Sequence, residues 1–280
     1  MKIKEALSQG IIILKKAGIM TPVTDAQLIM SKVLALPRWK LITERDASLP
    51  ESILKEYFDL IKKRASRYPL GYIIGEKEFY NVTLKIDEGV LIHSPETELL
   101  VEQTLKRIPL NERFYGIDLG VGSGAIAIAL LKNREKLLMK GTDISEEALR
   151  IAYLNAKINN VAERLILLKS DLFESINLEK FDFIVSNPPY IGEKEYDLLE
   201  EEVKKEPIQA LVSGKEGIEF YEKIVKEGKY FLKDKGFMAF EIGYNQAKKV
   251  KSILESERFN VFVYKDFQGL DRIIIGEKNG

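Results

Sequence analysis

A buried strand that runs into a glycine turn and then a small-residue helix narrows the folds open to this chain. Phe114-Tyr115-Gly116-Ile117-Asp118-Leu119 reads as a buried parallel strand carrying one carboxylate. Gly120-Val121-Gly122-Ser123-Gly124 follows, and then the helical run Ala125-Ile126-Ala127-Ile128-Ala129-Leu130. Strand, glycine turn and helix form the first half of a nucleotide-binding βαβ unit. Glycines allow φ > 0 and a close approach of backbone to ligand. The spacing Gly120-x-Gly122-x-x-Ala125 also satisfies the dinucleotide fingerprint, so the glycines do not choose the cofactor. Asp118 does. A carboxylate two residues before the first glycine repels a pyrophosphate at that helix N-terminus. It attracts the ammonium and sulfonium end of S-adenosylmethionine, which has no phosphate.

Two further strands support the same unit. Leu137-Leu138-Met139-Lys140-Gly141-Thr142 ends at Asp143, an acid placed to hold two ribose hydroxyls in NAD or S-adenosylmethionine alike. Ser145 is a candidate cap for the next helix, with Glu146 and Glu147 in its first turn. Leu165-Ile166-Leu167-Leu168 leads to Asp171 and Leu172, expected to accept from an adenine amino group and to cover the ring. An acid in a loop is ordinarily just solvated. Its place after the third strand, in register with Asp118 and Asp143, decides for binding.

Asn187-Pro188-Pro189-Tyr190 follows the apolar strand Phe181–Ser186 and reads as a clamp for a planar amino group. Asn187 offers a side-chain carbonyl acceptor. Pro188 offers a backbone carbonyl, the two prolines stiffen the turn, and Tyr190 supplies a face for stacking. Two acceptors on an sp² –NH2 would localise its lone pair toward an electrophilic methyl group and stabilise the charge that develops on nitrogen. No general base is evident. Glu241, near the end of the strand Gly236–Ile242, is a candidate later proton acceptor, but a structural role is expected.

Asp118-Leu119-Gly120-x-Gly122-Ser123-Gly124 together with Asn187–Tyr190 resembles the class I methyltransferases that modify amino groups. Arg67–Gly75, Pro95-Glu96-Thr97-Glu98, Glu206-Pro207 with Ala210-Leu211, and Glu241-Ile242-Gly243 with Gln246 are similar to the release factor glutamine methyltransferases, the PrmC/HemK family. The resemblance covers nearly the whole chain. It implies N5-methylation of the glutamine in a Gly-Gly-Gln loop of peptide chain release factors, with S-adenosylmethionine as methyl donor. Carried over by motif, Asn187, Pro188, Pro189 and Tyr190 are the expected catalytic and substrate-binding residues. Asp118, Gly120, Val121, Gly122, Ser123, Gly124, Asp143, Asp171, Leu172 and Asn187 are the expected cofactor residues. One departure stands out: the family usually has Pro-Arg-Pro before Glu-Thr-Glu, and this chain has His93-Ser94-Pro95.

The expected organisation is α/β, a Rossmann-like seven-stranded sheet preceded by a helical domain. Residues 1–75 are expected to be a helical, partner-binding domain, with stripes such as Ile53, Leu54, Tyr57, Phe58 and Ile61 forming its core. Residues 76–95 are expected to form a β-hairpin linker alternating from Phe79 to Ile92, and residues 96–280 the S-adenosylmethionine-binding domain. Val261–Tyr264 and Arg272–Ile275 are expected to close the sheet as an antiparallel pair.

Composition removes several classes of function. With no Cys and one His, neither a disulfide nor a structural zinc site is expected. His93 reads as a surface or linker residue. No apolar run reaches the roughly 18 residues of a membrane span, and Ile11–Leu14 is too short for a signal peptide core. A cytoplasmic location and no membrane partner are expected.

Net charge is zero, but residues 1–75 carry 13 basic against 7 acidic side chains. The segment Glu193–Glu206 carries seven acids against three lysines. Acidity beside the clamp argues against a nucleic-acid substrate, because such sites track phosphates with positive charge. An N6-adenine or N2-guanine methyltransferase, which flips a base into the same kind of clamp, is the alternative. A non-catalytic or NAD-dependent nucleotide-binding protein is a third reading, opposed by Asp118 and the intact clamp.

Overall fold

The computed structural model describes residues 1–177 and 179–279; Leu178 and Gly280, both inside the expected cofactor-binding domain, lie outside the described residues. The chain divides into two compact units, Met1–Glu76 with Glu200–Lys205, and Lys77–Leu199 with Glu206–Gly280.

The first unit is helical: α1 (Ile3–Lys16), α2 (Pro22–Leu34), α3 (Lys40–Thr43), α4 (Glu51–Ala65) and α5 (Leu70–Ile74). Its core takes Ile3 and Leu14 from α1, Ile29 and Met30 from α2, and Tyr57 and Ile61 from α4. Ile53, Leu54 and Phe58 pack against that core partly buried, so the expected stripe is an interior face. A polar network also runs through this unit. Arg64 donates to Asp25 at 2.7 Å, with the two side chains 5% and 1% exposed. Thr21 donates to the same carboxylate at 2.7 Å. Arg64 reaches Glu202 at 2.9 Å and the Tyr68 carbonyl at 3.1 Å. Those two carboxylates hold the Arg64 guanidinium above its ordinary range despite its burial.

The second unit begins at Lys77, within β1 (Glu76–Phe79), which pairs with β2 (Val82–Lys85) across Tyr80-Asn81. The hairpin is shorter than the alternation to Ile92 suggests. From Ile86 the backbone turns instead: Val90 N–H donates to the Asp87 carbonyl and Glu88 N–H to the Asp87 side chain. An Asp side chain that bonds its neighbouring backbone competes with ladder pairing in this way.

The main sheet has seven strands in the order β5-β4-β3-β6-β7-β9-β8. They are β3 (Phe114–Leu119), β4 (Leu137–Asp143), β5 (Leu165–Lys169), β6 (Phe181–Ser186), β7 (Leu232–Glu241), β8 (Phe259–Lys265) and β9 (Asp271–Lys278). Neighbours from β5 to β7 pair in parallel; β9 pairs antiparallel with both β7 and β8. The closing antiparallel pair is therefore as expected, with β9 inserted between β7 and the edge strand β8. Helices α6 (Pro95–Leu105), α7 (Ala125–Asn133), α8 (Glu146–Ile158), α9 (Glu193–Tyr196), α10 (Glu219–Gly228) and α11 (Ala247–Ser256) complete the unit. β3 and β6 are the interior strands from whose C-terminal ends the glycine turn and the Asn187 segment emerge. Ligands of open α/β sheets bind outside such strand ends. Among the described residues no helix is long and apolar enough to cross a membrane.

Candidate active site

After β3 the backbone turns three times into the left-handed region, at Gly120 (φ 71°), Gly122 (φ 53°) and Gly124 (φ 84°). At Gly120 an added Cβ would meet nothing within 4 Å, so conformation rather than space demands glycine there. The Gly120 and Val121 N–H groups both donate to the Thr142 carbonyl, at 2.8 and 2.9 Å, which fastens the turn to β4. Asp143 fastens its other side. One carboxylate oxygen accepts from Gly122 N–H and the other from Ser145 N–H, each at 2.9 Å. Ser145 in turn caps α8, accepting from Ala148 N–H at 3.2 Å.

Asp118 lies beneath this turn, 1% exposed. Its Oδ2 accepts from Ala127 N–H in the first turn of α7, at 3.2 Å, while Oδ1 is buried without a partner. Burial pushes its carboxyl up to about 8, and the nearby Asp143 charge acts in the same direction. Thr142 Oγ1 is likewise buried without a partner. A buried carboxylate with an open acceptor is costly in an apolar surrounding. It fits a cationic ligand, and S-adenosylmethionine carries both an ammonium and a sulfonium. Asp143, which lines the cleft beside the turn, fits ribose hydroxyls.

A cleft of about 240 Å³ opens beside the turn. Of the expected site residues it brings together Gly120, Gly122, Asp143, Asp171, Leu172, Asn187 and Pro189. Asp118, Val121, Ser123, Gly124, Pro188 and Tyr190 are not in its lining. The irregular stretch after β2 supplies Gly89, Val90 and Leu91, and the segment after Glu206 supplies Pro207, Gln209 and Ala210. Pro207 and Ala210 belong to a motif visible in the sequence, but no local signal marks either segment as a cleft wall. Asp171 also has a partner that spacing does not show, an ion pair with Lys223 at 3.1 Å. Leu172 sits at φ 49°, an uncommon conformation for a leucine, of the kind that gathers at binding sites.

The Asn187 segment is held from several sides. Ser186 Oγ donates to the Leu119 carbonyl at 2.6 Å, joining the ends of β6 and β3. Asn187 Nδ2 donates to Thr97 Oγ1 at 3.4 Å, and Asn187 Oδ1 is buried without a partner. Thr97, in the first turn of α6, donates to Glu241 at 2.6 Å. Glu241 is 2% exposed, and burial pushes its carboxyl up to about 7 against the hydrogen bonds from Thr97 and Asn187. Gln246 Nε2 donates to the Tyr190 carbonyl at 2.8 Å and to the Gly217 carbonyl at 3.1 Å. Burial raises the Tyr190 phenol above its ordinary range, so it stays neutral. Thr97 and Gln246 belong to motifs visible in the sequence, but nothing local gave them a role.

His93 corrects the expectation of a surface residue. It lies between β2 and α6, is 5% exposed and stands edge-on to Phe79 at 4.5 Å. Burial, together with the Lys77 ammonium, pulls its imidazole down to about 3, so it is neutral. Beside it, Ser94 Oγ lies 3.3 Å from Thr97 Oγ1. Glu206 accepts from Ile92 N–H at 2.8 Å, and burial pushes it up to about 7.

Residues 5–75 match the PrmC N-terminal domain family and residues 94–216 the methyltransferase small domain family. The chain is 43% identical over 254 residues to the release factor glutamine methyltransferase of Aquifex aeolicus, covering 91% of this chain and 90% of that one. It is 39% identical to the one from Clostridium acetobutylicum over the full length of both. Among solved structures, a methyltransferase from Pyrococcus furiosus superposes with TM-score 0.53 at 20% identity, covering 71% of this chain and 90% of that one. The hMettl16 catalytic domain, in complex with MAT2A 3'UTR hairpin 6, gives TM-score 0.57 at 16% identity over 78% and 81% of the two chains. At such identities the likeness shows the fold alone, that of a class I methyltransferase. The full-length relatives show the rest: this chain belongs to the release factor glutamine methyltransferases.

Proposed function

We propose that this chain transfers a methyl group from S-adenosylmethionine to N5 of the glutamine in the Gly-Gly-Gln loop of peptide chain release factors. The observation that carries the reading is Asn187. Its amide nitrogen is engaged by Thr97, its carbonyl oxygen is buried and unpartnered, and it lines the same cleft as the glycine turn.

Bound S-adenosylmethionine supplies an electrophilic methyl group on a sulfonium. In this reading Asp118 receives the cationic end, Asp143 the ribose hydroxyls, and Asp171 with Leu172 the adenine. Gly120 to Gly124, with Val121 and Ser123 between them, bring backbone rather than side chains to the ligand. The Asn187 side-chain carbonyl and the Pro188 backbone carbonyl accept the two N–H bonds of the substrate amide. That localises the nitrogen lone pair and stabilises positive charge as it develops there, the preorganised electrostatic term that dominates many enzymes. Tyr190 offers a neutral face beside the planar group, and Pro189 stiffens the turn. In-line placement supplies a further share. The protonated product amide is strongly acidic and loses its proton without a dedicated base.

Three further parts belong to the same proposal. Residues 1–75 act as the partner-binding domain, residues 76–95 as a linker and residues 96–280 as the catalytic domain. The enzyme acts in the cytoplasm. It takes no nucleic acid directly, a reading supported by the zero net charge. Incubating the chain with a release factor and S-adenosylmethionine, then mapping methylated peptides by mass spectrometry, tests the reading. One methyl group on the loop glutamine is expected; methyl incorporation into tRNA or DNA alone would overturn it.

A further inference from the structure

We infer that Thr97 and Glu241 are positioning residues that fix which edge of the Asn187 amide faces the methyl-accepting site. The inference rests on the proposed clamp, and it follows from counting donors and acceptors. An ionised Glu241 can only accept. The Thr97 hydroxyl has one proton, and it goes to Glu241 at 2.6 Å. What Thr97 has left toward Asn187 is lone pairs. The amide must therefore turn its –NH2 to Thr97, at 3.4 Å, and to the Glu241 carboxylate, which it also hydrogen-bonds, and leave its oxygen without a protein partner. That orientation presents an acceptor to the two-donor amide of a substrate. The opposite orientation would set –NH2 against –NH2.

The surroundings make this arrangement sensitive to one proton. Thr97 and Glu241 are each 2% exposed, so water does not compete for the chain of bonds. A protonated Glu241 can donate to Thr97 Oγ1, which frees the Thr97 proton for Asn187 and removes the preference for one amide edge. Several groups face Glu241. Glu96 of α6 and Arg272 of β9 act on it with opposite sign. The Tyr190 and Tyr221 phenols are both held above their ordinary range and stay neutral. Tyr221 also donates to the Glu241 backbone carbonyl at 2.8 Å, which anchors that residue without using its carboxylate.

The test uses the full chain. Thr97→Val keeps the side-chain shape and removes the hydroxyl; Thr97→Ser restores it; Glu241→Gln keeps the shape and removes the charge. With an intact release factor as substrate, Thr97→Val and Glu241→Gln should each lower kcat about 10- to 100-fold, as loss of an orienting partner does elsewhere. S-adenosylmethionine affinity by calorimetry should stay within a few fold, and Thr97→Ser should recover most of the rate. In wild type, kcat should fall as pH drops through about 7, where Glu241 takes up its proton. Glu241→Gln should lose that acid limb, and Glu96→Gln should move it to lower pH by removing a like charge.

A second readout needs no substrate. In the ¹⁵N-asparagine-labelled chain, the Asn187 side-chain –NH2 signals, assigned by their absence in Asn187→Ala, should titrate with the same midpoint and stop doing so in Glu241→Gln. Wild-type kcat in Thr97→Val and Glu241→Gln, or Asn187 signals indifferent to Glu241, would overturn the inference and leave the clamp standing. A wild-type chain that fails to methylate release factor while the Asn187 signals still titrate would instead overturn the proposed function and leave the positioning intact.

Discussion

The Arg64 network of the helical unit and the strand ends of the sheet unit both bury charged and polar side chains, and the two clusters treat them in opposite ways, although the helical unit also buries the Ser31 and Tyr57 hydroxyls without a partner. In the first, Asp25 accepts from Arg64 and Thr21, and Arg64 continues to Glu202 and the Tyr68 carbonyl. In the second, Asp118 Oδ1, Thr142 Oγ1 and Asn187 Oδ1 are buried with no partner, and Glu241 is pushed up to about 7. Buried polar atoms are nearly always hydrogen-bonded, so each exception calls for a cause. The contrast teaches which buried charges hold a fold together and which are held ready for a ligand. A network closed on itself resists removal of any one member. A set of open acceptors costs stability until something cationic or hydrogen-bonding arrives.

Arg64→Ala probes the closed network and carries the largest expected effect. It leaves Asp25 buried and uncompensated, which should lower unfolding free energy by about 3–5 kcal/mol. Chemical denaturation of the whole chain reads this, and an unchanged midpoint would remove the distinction between the two regions. S-adenosylmethionine affinity, measured where the variant is folded, should change by less than a few fold.

Asn187→Ala probes the open set. It should lower turnover roughly 10²-fold, as for loss of one preorganised polar group, at nearly unchanged S-adenosylmethionine affinity. The same variant removes the Oδ1 acceptor, which has no protein partner, together with the long Nδ2 bond to Thr97 and the bond to Glu241, so it should cost about 1 kcal/mol of stability. A variant that turns over normally, or that unfolds instead, would reassign Asn187 to the closed kind.

Asp143→Ala lies between the two kinds, because Asp143 both fastens Gly122 and Ser145 and is the proposed ribose acceptor. Calorimetry should show S-adenosylmethionine binding weakened by about 1–3 kcal/mol if both hydroxyls lose their acceptor, and no NAD binding in wild type. An unaffected affinity would leave Asp143 with the loop alone.

The smallest effect is a proton. Burial pushes Asp118 up to about 8 in the unliganded chain, so most of it is protonated at neutral pH. A raised carboxyl binds more protons folded than unfolded, so its contribution to stability falls as pH rises from about 4 toward 8. A neighbouring cation reverses that shift. S-adenosylmethionine binding near pH 7 should therefore release a fraction of a proton, seen as a binding enthalpy that depends on the ionisation enthalpy of the buffer. An enthalpy independent of buffer would place the cation elsewhere.

What the sequence reveals divides along a related line. The strands Phe114–Leu119 and Phe181–Ser186, the glycine turn and the Ser145 cap depend on periodicity and near neighbours, so they are readable residue by residue. Relations across the chain are not. Asn187 reaches Thr97 across 90 positions, and Thr97 reaches Glu241 across 144. The Lys223 partner of Asp171 is 52 positions away. Glu202 looked like one more acid beside the clamp, but its partner is Arg64 in the helical unit. The burial of His93 is hidden from the sequence for the same reason. Its neighbours Ile92 and Ser94 do not show that Phe79 packs against its ring. The alternation in the sequence continues past Lys85, where the hairpin of the structure ends. Lys85 gives its N–H to Asn155 Oδ1 at 2.7 Å and its carbonyl to Asn155 Nδ2 at 3.0 Å, a tie to α8 that no local pattern announces.

The central claim is that an open Asn187 acceptor beside the glycine turn receives a protein glutamine for methylation. Its most direct test is a side-by-side reaction of wild type and Asn187→Ala with an intact release factor, a short Gly-Gly-Gln peptide and tRNA, read by mass spectrometry. The account predicts one methyl group on the loop glutamine of the release factor with wild type, slower methylation of the peptide, none on tRNA, and roughly 10²-fold less product with the variant. Methylated tRNA with unmodified release factor, or equal product from the two enzymes, would contradict it.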